Sequence, residues 1–138
     1  MALDTEGTEE LHTEIAILRK KGAGHVEVLY NEGARCTARA VAHVQAKRRE
    51  LMGTGPYTVL TMIPEGVEYD LETMSHDQGA PDRAAGNIRA LAVVAQQGIL
   101  ATLTRLYLSY YPKLDNVLIT QDEQAARAWL AERAEVRP

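Results

Sequence analysis

The side chains best suited to chemistry fall into a few groups. Ser75-His76-Asp77 holds the residue types of a hydrolase relay. Consecutive residues on a helix point about 100° apart, so these three cannot form one relay. No G-x-S-x-G elbow accompanies them, and a surface helix accounts for all three. His12 and His25 fall in neighbouring strand-like stretches, and two imidazoles facing each other across a hairpin would be half of a zinc site. No third ligand is apparent, so solvated strand histidines are the simpler reading. Cys36 precedes a predicted helix N-terminus, where a thiolate is favoured. As the single cysteine it allows no intramolecular disulfide and no cysteine cluster for zinc, and a structural thiol is the reading preferred. Glu65, Glu68, Asp70 and Glu72 form an acidic group without the D-x-D-x-D-G pattern of a calcium loop. They read as a solvated rim. Tyr107, Tyr110 and Tyr111 combine apolar area with a hydroxyl, as interface residues do. No catalytic constellation emerges, so the expectation is a chain that is not an enzyme and uses no cofactor and no metal.

The composition points the same way. The chain has 138 residues, enough for one domain with a real core. Its formal net charge is -4, and no long basic patch marks a nucleic-acid partner. Arg19-Lys20-Lys21 leads into a turn and reads as solvated. Lys47-Arg48-Arg49 sits where it would complement the C-terminal end of a helix dipole. No secretory apolar region opens the sequence and no run approaches a membrane span, so a cytoplasmic location is expected.

The elements that must position these residues follow from periodicity. Residues 1–9 read as a flexible N-terminus and 10–138 as a single domain. Leu11 to Lys20 alternates as one strand, and His25 to Tyr30 as a second, with His25, Glu27 and Leu29 on one face. A Gly-containing loop joins them as a hairpin. Thr37 caps a predicted helix from Ala38 to Met52, with Val41, Val44 and Leu51 on its apolar stripe and Gly53 at its end. Tyr57 to Ile63 and Ile88 to Ala95 are short apolar runs bounded by Gly and Pro, the mark of strands buried on both faces. Asp70 would cap a short helix carrying Leu71 and Met74. Ile99 to Tyr110 keeps helical spacing and stops at Pro112. Asn116 to Ile119 is a short strand. Thr120 to Glu123 reads as a capping box for a last helix bearing Ala126, Trp129, Leu130 and Arg133. The expected core includes Val59, Leu60, Met62, Leu91, Val93, Leu103 and Trp129. The order is β-β-α-β-α-β-α-β-α, an α/β domain with a mixed sheet and about four helices.

That order resembles the STAS-like fold, and more narrowly the small bacterial SpoIIAA-like proteins. The resemblance rests on Tyr30-Asn31-Glu32-Gly33, on Gly55-Pro56-Tyr57-Thr58-Val59-Leu60, and on the terminal T-x-x-E-x-A-x-x-W-L pattern from Thr120 to Leu130. It spans roughly Leu11 to Arg133. It implies a non-enzymatic binding or regulatory module that meets a protein partner. Regulatory members of the family carry a phosphorylatable hydroxyl at the helix start after the central strand. Here that switch-loop region reads Glu68, Tyr69, Asp70, Leu71 and Glu72, without Ser or Thr, so the phosphoswitch is not expected. Leu108 and Tyr111 share a second side of the third predicted helix. Arg105, Tyr107, Leu108, Tyr110, Tyr111 and Pro112 are therefore the expected interface, with a protein partner or with a second copy in a homodimer. The alternative is a small apolar-ligand carrier, or a weak enzyme, with a pocket between sheet and helices.

Overall fold

The computed structural model describes residues 8–22, 24–53, 56–69, 88–96, 98 and 116–134. Six strands form one mixed sheet: β1 (Thr8–His12), β2 (Ala16–Lys21), β3 (His25–Tyr30), β5 (Tyr57–Ile63), β7 (Ile88–Ala95) and β8 (Val117–Thr120), in the order β1-β2-β3-β5-β7-β8. β1, β2 and β3 run antiparallel as a meander. From β3 onward every pairing is parallel. Two short strands, β4 (Arg35–Cys36) and β6 (Glu68–Tyr69), pair separately. The helices among the described residues are α1 (Ala38–Met52) and α2 (Glu123–Ala134).

The fold class is α/β with a mixed sheet, as the periodicity predicts, but the first predicted strand is two. Thr13 breaks it. Its hydroxyl accepts from the amides of Ile15 (3.3 Å) and Ala16 (3.0 Å), and its own amide donates to the Ala16 carbonyl at 2.8 Å. A threonine satisfying its neighbours in this way makes a tight turn, so β1 folds back on β2 with Leu11 opposite Leu18. Alternation alone cannot reveal such a reversal, because it continues unbroken on both sides of the turn. The predicted helices around Asp70 and from Ile99 to Tyr110 lie outside the described residues, as does Leu103.

α1 forms where expected. The Thr37 side chain accepts from the Ala40 amide at 3.1 Å, and the Gly53 amide closes the other end on the Arg49 carbonyl. Val41, Val44 and Met52 pack with Ile15, Leu18, Val26, Val28, Val59 and Val93 on one face of the sheet. The opposite face carries Leu60, Ala90, Ala92 and Val94 under Ala126 and Leu130 of α2. Along β7 successive residues therefore enter different cores, which is why its apolar run is unbroken. Met62 and Trp129 are only partly buried, at the margin of the second core. Trp129 also carries the Arg133 guanidinium 4.0 Å above its ring centre.

Two local expectations are corrected. The cap of α2 is Asp122, whose carboxylate accepts from the Ala125 amide at 3.1 Å. The Thr120 hydroxyl serves the Asp122 amide instead, and Glu123 turns to Arg127. Because β8 runs on to Thr120, the cap shifts by two residues. The basic cluster is also not uniform. Lys47 pairs with Glu50 at the surface, whereas Arg48 is buried and donates Nε to the Tyr57 hydroxyl at 3.2 Å.

β4 and β6 bring the segment after β5 beside the entrance to α1. The Glu68 amide donates to the Ala34 carbonyl at 2.9 Å. The turns before the two strands meet at Gly33 and Gly66, both at positive φ, and a Cβ on Gly66 would sit 3.5 Å from Gly33 backbone. A positive φ at each turn favours glycine on both sides of this approach.

Candidate functional site

The most chemically loaded place among the described residues is the end of β3 beneath α2. The parallel register sets His25 beside Thr58. The His25 Nδ1 and the Thr58 hydroxyl are 2.7 Å apart, and that hydroxyl also lies 3.3 Å from the Gly24 carbonyl. Period-two geometry puts Glu27 on the same face as His25. Glu27 Oε2 lies 3.4 Å from His25 Nε2 and accepts from Arg127 Nη1 at 2.7 Å. Lys21, from the end of β2, stands 3.8 Å from Oε1.

Arg127 arrives because α2 is seated by the packing around it. Ala126 and Leu130 are buried against Ala90, Ala92 and Val94, and such small side chains let a helix sit close to its sheet. At the other end of α2, Arg89 Nη1 donates to the Ala134 carbonyl at 3.3 Å. Arg127 then flanks the buried stripe. Glu123, one turn earlier, accepts from its Nε at 2.8 Å, so the guanidinium bridges two carboxylates.

Glu27 is 3% exposed, the one buried carboxylate among the described residues. Burial pushes its carboxyl up, but the Arg127 hydrogen bond and charge, with Lys21 and His25, outweigh burial and hold it below the ordinary carboxylate range. Burial pulls the His25 imidazole down, and the neighbouring Glu27 only partly restores it. Arg127 is held above its ordinary value by the bond to Glu27. At neutral pH the arrangement is a neutral imidazole beside a charged pair. With Nε2 turned to a carboxylate, that nitrogen carries the proton and Nδ1 accepts from Thr58.

A cleft of about 200 Å³ opens over this cluster, lined by His25, Thr58, Arg127, Leu130, Ala131 and Ala134. Thr58-His25-Glu27 has the composition of a hydroxyl–imidazole–carboxylate relay. Acyl transfer needs more: an attackable hydroxyl and donors aimed at a developing oxyanion. Thr58 is 2% exposed, and its amide is spent on the Gly24 carbonyl at 2.9 Å.

The residues singled out by sequence are scattered. His12 lies at the far end of β1, exposed and 3.2 Å from Glu10. Its register passes through Ile17 to Leu29, four residues along β3 from His25. At about 3.3 Å per residue the two imidazoles are more than about 13 Å apart, so they do not meet across a hairpin. Cys36 is buried in β4. Glu65 is exposed in the turn after β5, and Glu68 and Tyr69 form β6. Asp70, Leu71, Glu72 and Ser75-His76-Asp77 lie outside the described residues. So do Arg105, Tyr107, Leu108, Tyr110, Tyr111 and Pro112. Among the described residues no group of three or more His, Cys, Asp or Glu is placed to hold a metal ion. Among them, too, no helix is long and apolar enough to cross a membrane.

Sequence reasoning passed over Glu27, Thr58 and Arg127. One signal was available: a glutamate flanked by Val26 and Val28 within a strand needs a polar partner once it is buried. Its partner stands 100 positions later, and no local pattern points there. No protein-family model, no curated protein and no solved structure matches this chain.

Proposed function

We propose that this chain is a binding and regulatory module of STAS-like, SpoIIAA-like type, acting through contact with a protein partner rather than through covalent chemistry. The supporting observation is the direction in which its polar groups point. In the cluster under α2 each imidazole nitrogen is turned on another protein group, and the Glu27 carboxyl is held down, away from the pKa a general base needs near neutral pH. The cluster ties elements together. The mixed α/β sheet, with α1 carrying the chain from β3 to its parallel neighbour β5, agrees with the resemblance.

In the switch-loop region, Glu68 and Tyr69 are drawn into a strand against Arg35 and Cys36. That pairing supports a module without the phosphoswitch. Phosphopeptide mapping after incubation with cell extract should find no stoichiometric phosphate between Val67 and Glu72, and stoichiometric phosphate on Thr73 or Ser75 would restore the switch.

The partner face we propose is the stretch holding Arg105, Tyr107, Leu108, Tyr110, Tyr111 and Pro112, whose sequence spacing predicts the third helix, occupied by a partner protein or by a second copy. The test joins affinity capture from native lysate, with mass spectrometry of proteins and small molecules, to sedimentation of the purified chain. A saturable complex, rebuilt from purified components and weakened by Leu108→Glu with Tyr111→Glu, is the expected result. A stoichiometric small molecule with no protein favours the carrier reading, for which the cleft is the observation. Its 200 Å³ falls below the roughly 300–1,000 Å³ usual for drug-sized ligands. Multiple turnover of any substrate overturns the module.

A further inference from the structure

We propose that α2 is a proton-controlled latch, in which protonation of His25 releases the helix from Glu27 and the sheet. His25 owes its seclusion to α2. The cleft it lines is closed on one side by Arg127, Leu130, Ala131 and Ala134, all from that helix. Its surroundings come from every element nearby: Lys21 from β2, Glu27 from β3, the Thr58 hydroxyl from β5, and Arg127 with its partner Glu123 from α2. Arg89 of β7 reaches the far rim at Ala134.

One carboxylate therefore serves two claimants. With His25 neutral, the Glu27 charge belongs to Arg127 at 2.7 Å, and this contact crosses from helix to sheet. A proton on His25 places a second full cation 3.4 Å from the same carboxylate, beside Arg127 and Lys21. Imidazolium then competes with guanidinium for Glu27, and the cations repel. Nδ1 also turns from acceptor to donor, so its bond with the Thr58 hydroxyl reverses and that hydroxyl turns its own proton to the Gly24 carbonyl. Undocking α2 relieves the competition and the repulsion, because it returns the imidazole to water and removes Arg127. His25 binds the proton better in the released state than in the docked one, so by linkage acid shifts the population toward release. The depressed titration of His25 in the docked state has the same sign.

The chain carries its own reporter. Trp129 is the single tryptophan, it lies on α2, and it packs against the buried core that α2 closes over the sheet. Between pH 7.5 and 5.0 the wild-type emission should move reversibly to longer wavelength. Amide exchange should show about tenfold or greater loss of protection along α2, while β5 and β7 keep theirs, as expected for local opening. His25→Gln removes the titration and should leave emission and α2 protection flat over that range. Arg127→Gln should show the released emission already at pH 7.5, which keeps the test valid if His25→Gln fails to fold. Three results would overturn the latch. One is a wild type with unchanged emission and α2 protection. The second is a His25→Gln chain that follows the wild type, which would place the titration at another histidine. The third is loss of protection in α2, β5 and β7 together, which is global unfolding.

Discussion

Under α1 the sheet buries branched aliphatic side chains, among them Leu18, Val26, Val28, Val59 and Val93. Under α2 it buries alanines, Leu60, Val94 and a charged glutamate. The first face is held by volume. Its stability comes from apolar area removed from water, a contribution that proton activity barely touches. The second has less volume to offer and is fastened by a carboxylate that tolerates burial only while its cations are in place. Two helices on one sheet are thus attached by different physics, and the second attachment is the one that depends on pH.

The sharpest way to break this contrast is to hollow out the first face. Leu18 is fully buried, and Leu18→Ala should cost about 2–5 kcal/mol in denaturant melts at any pH between 5 and 8. A cost that varied strongly with pH would mean the two faces are not independent.

Next comes the charge. Arg127→Met strands Glu27, and with Arg127 itself half exposed the expected loss is about 1–3 kcal/mol. Adding Glu27→Leu should recover most of it, since replacing both partners by apolar groups removes the stranded charge. If the double variant is less stable than either single one, the pair stabilises outright and the second face is more like the first than we argue.

The pH dependence sharpens the same point. His25 and Glu27 both titrate below their ordinary values of 6.5 and 4.5. For each group the unfolded chain takes up the proton first. Its contribution is whole above the ordinary value and lost as pH falls through the folded one. Stability should therefore drop in two stages, one beginning below about 6.5 and one below about 4.5. In equilibrium melts His25→Gln should abolish the first stage alone.

The smallest effect concerns how α2 begins. Asp122→Ala should cost about 1 kcal/mol, as loss of an N-cap does, and Thr120→Ala less than half of that. Equal losses would restore the cap to Thr120.

What could be read from the residues follows the same division. Val59, Leu91 and Val93 announce buried strands by local composition, and Thr37 announces a helix start by its hydroxyl; both are signals within a few residues. Thr13 hid a strand reversal, because a single side chain satisfying its own turn leaves the alternation around it intact. Arg48 reads from sequence as part of a cluster that complements the helix dipole, because which basic residue turns inward depends on a tyrosine nine positions later. The site was least legible. His25 reads from sequence as a solvated strand histidine, yet its partners are Thr58 and Glu27, the first fixed by a parallel register that no local spacing encodes.

The separation of Glu27 from Arg127 also has a meaning in time. A ribosome completes Glu27 100 residues before its guanidinium partner. At about 5–20 residues per second, the carboxylate waits roughly 5–20 s for that guanidinium, with Lys21 of the same meander as its cation meanwhile. The β1-β2-β3 meander is made of near neighbours and can pair in that interval, but the side of it bearing Glu27 stays wetted by its own charge. A nascent strand that keeps a carboxylate in water is a poor template for another chain. The residue that later meets Arg127 across the α2 interface thus keeps this side of the meander in water until its partner emerges.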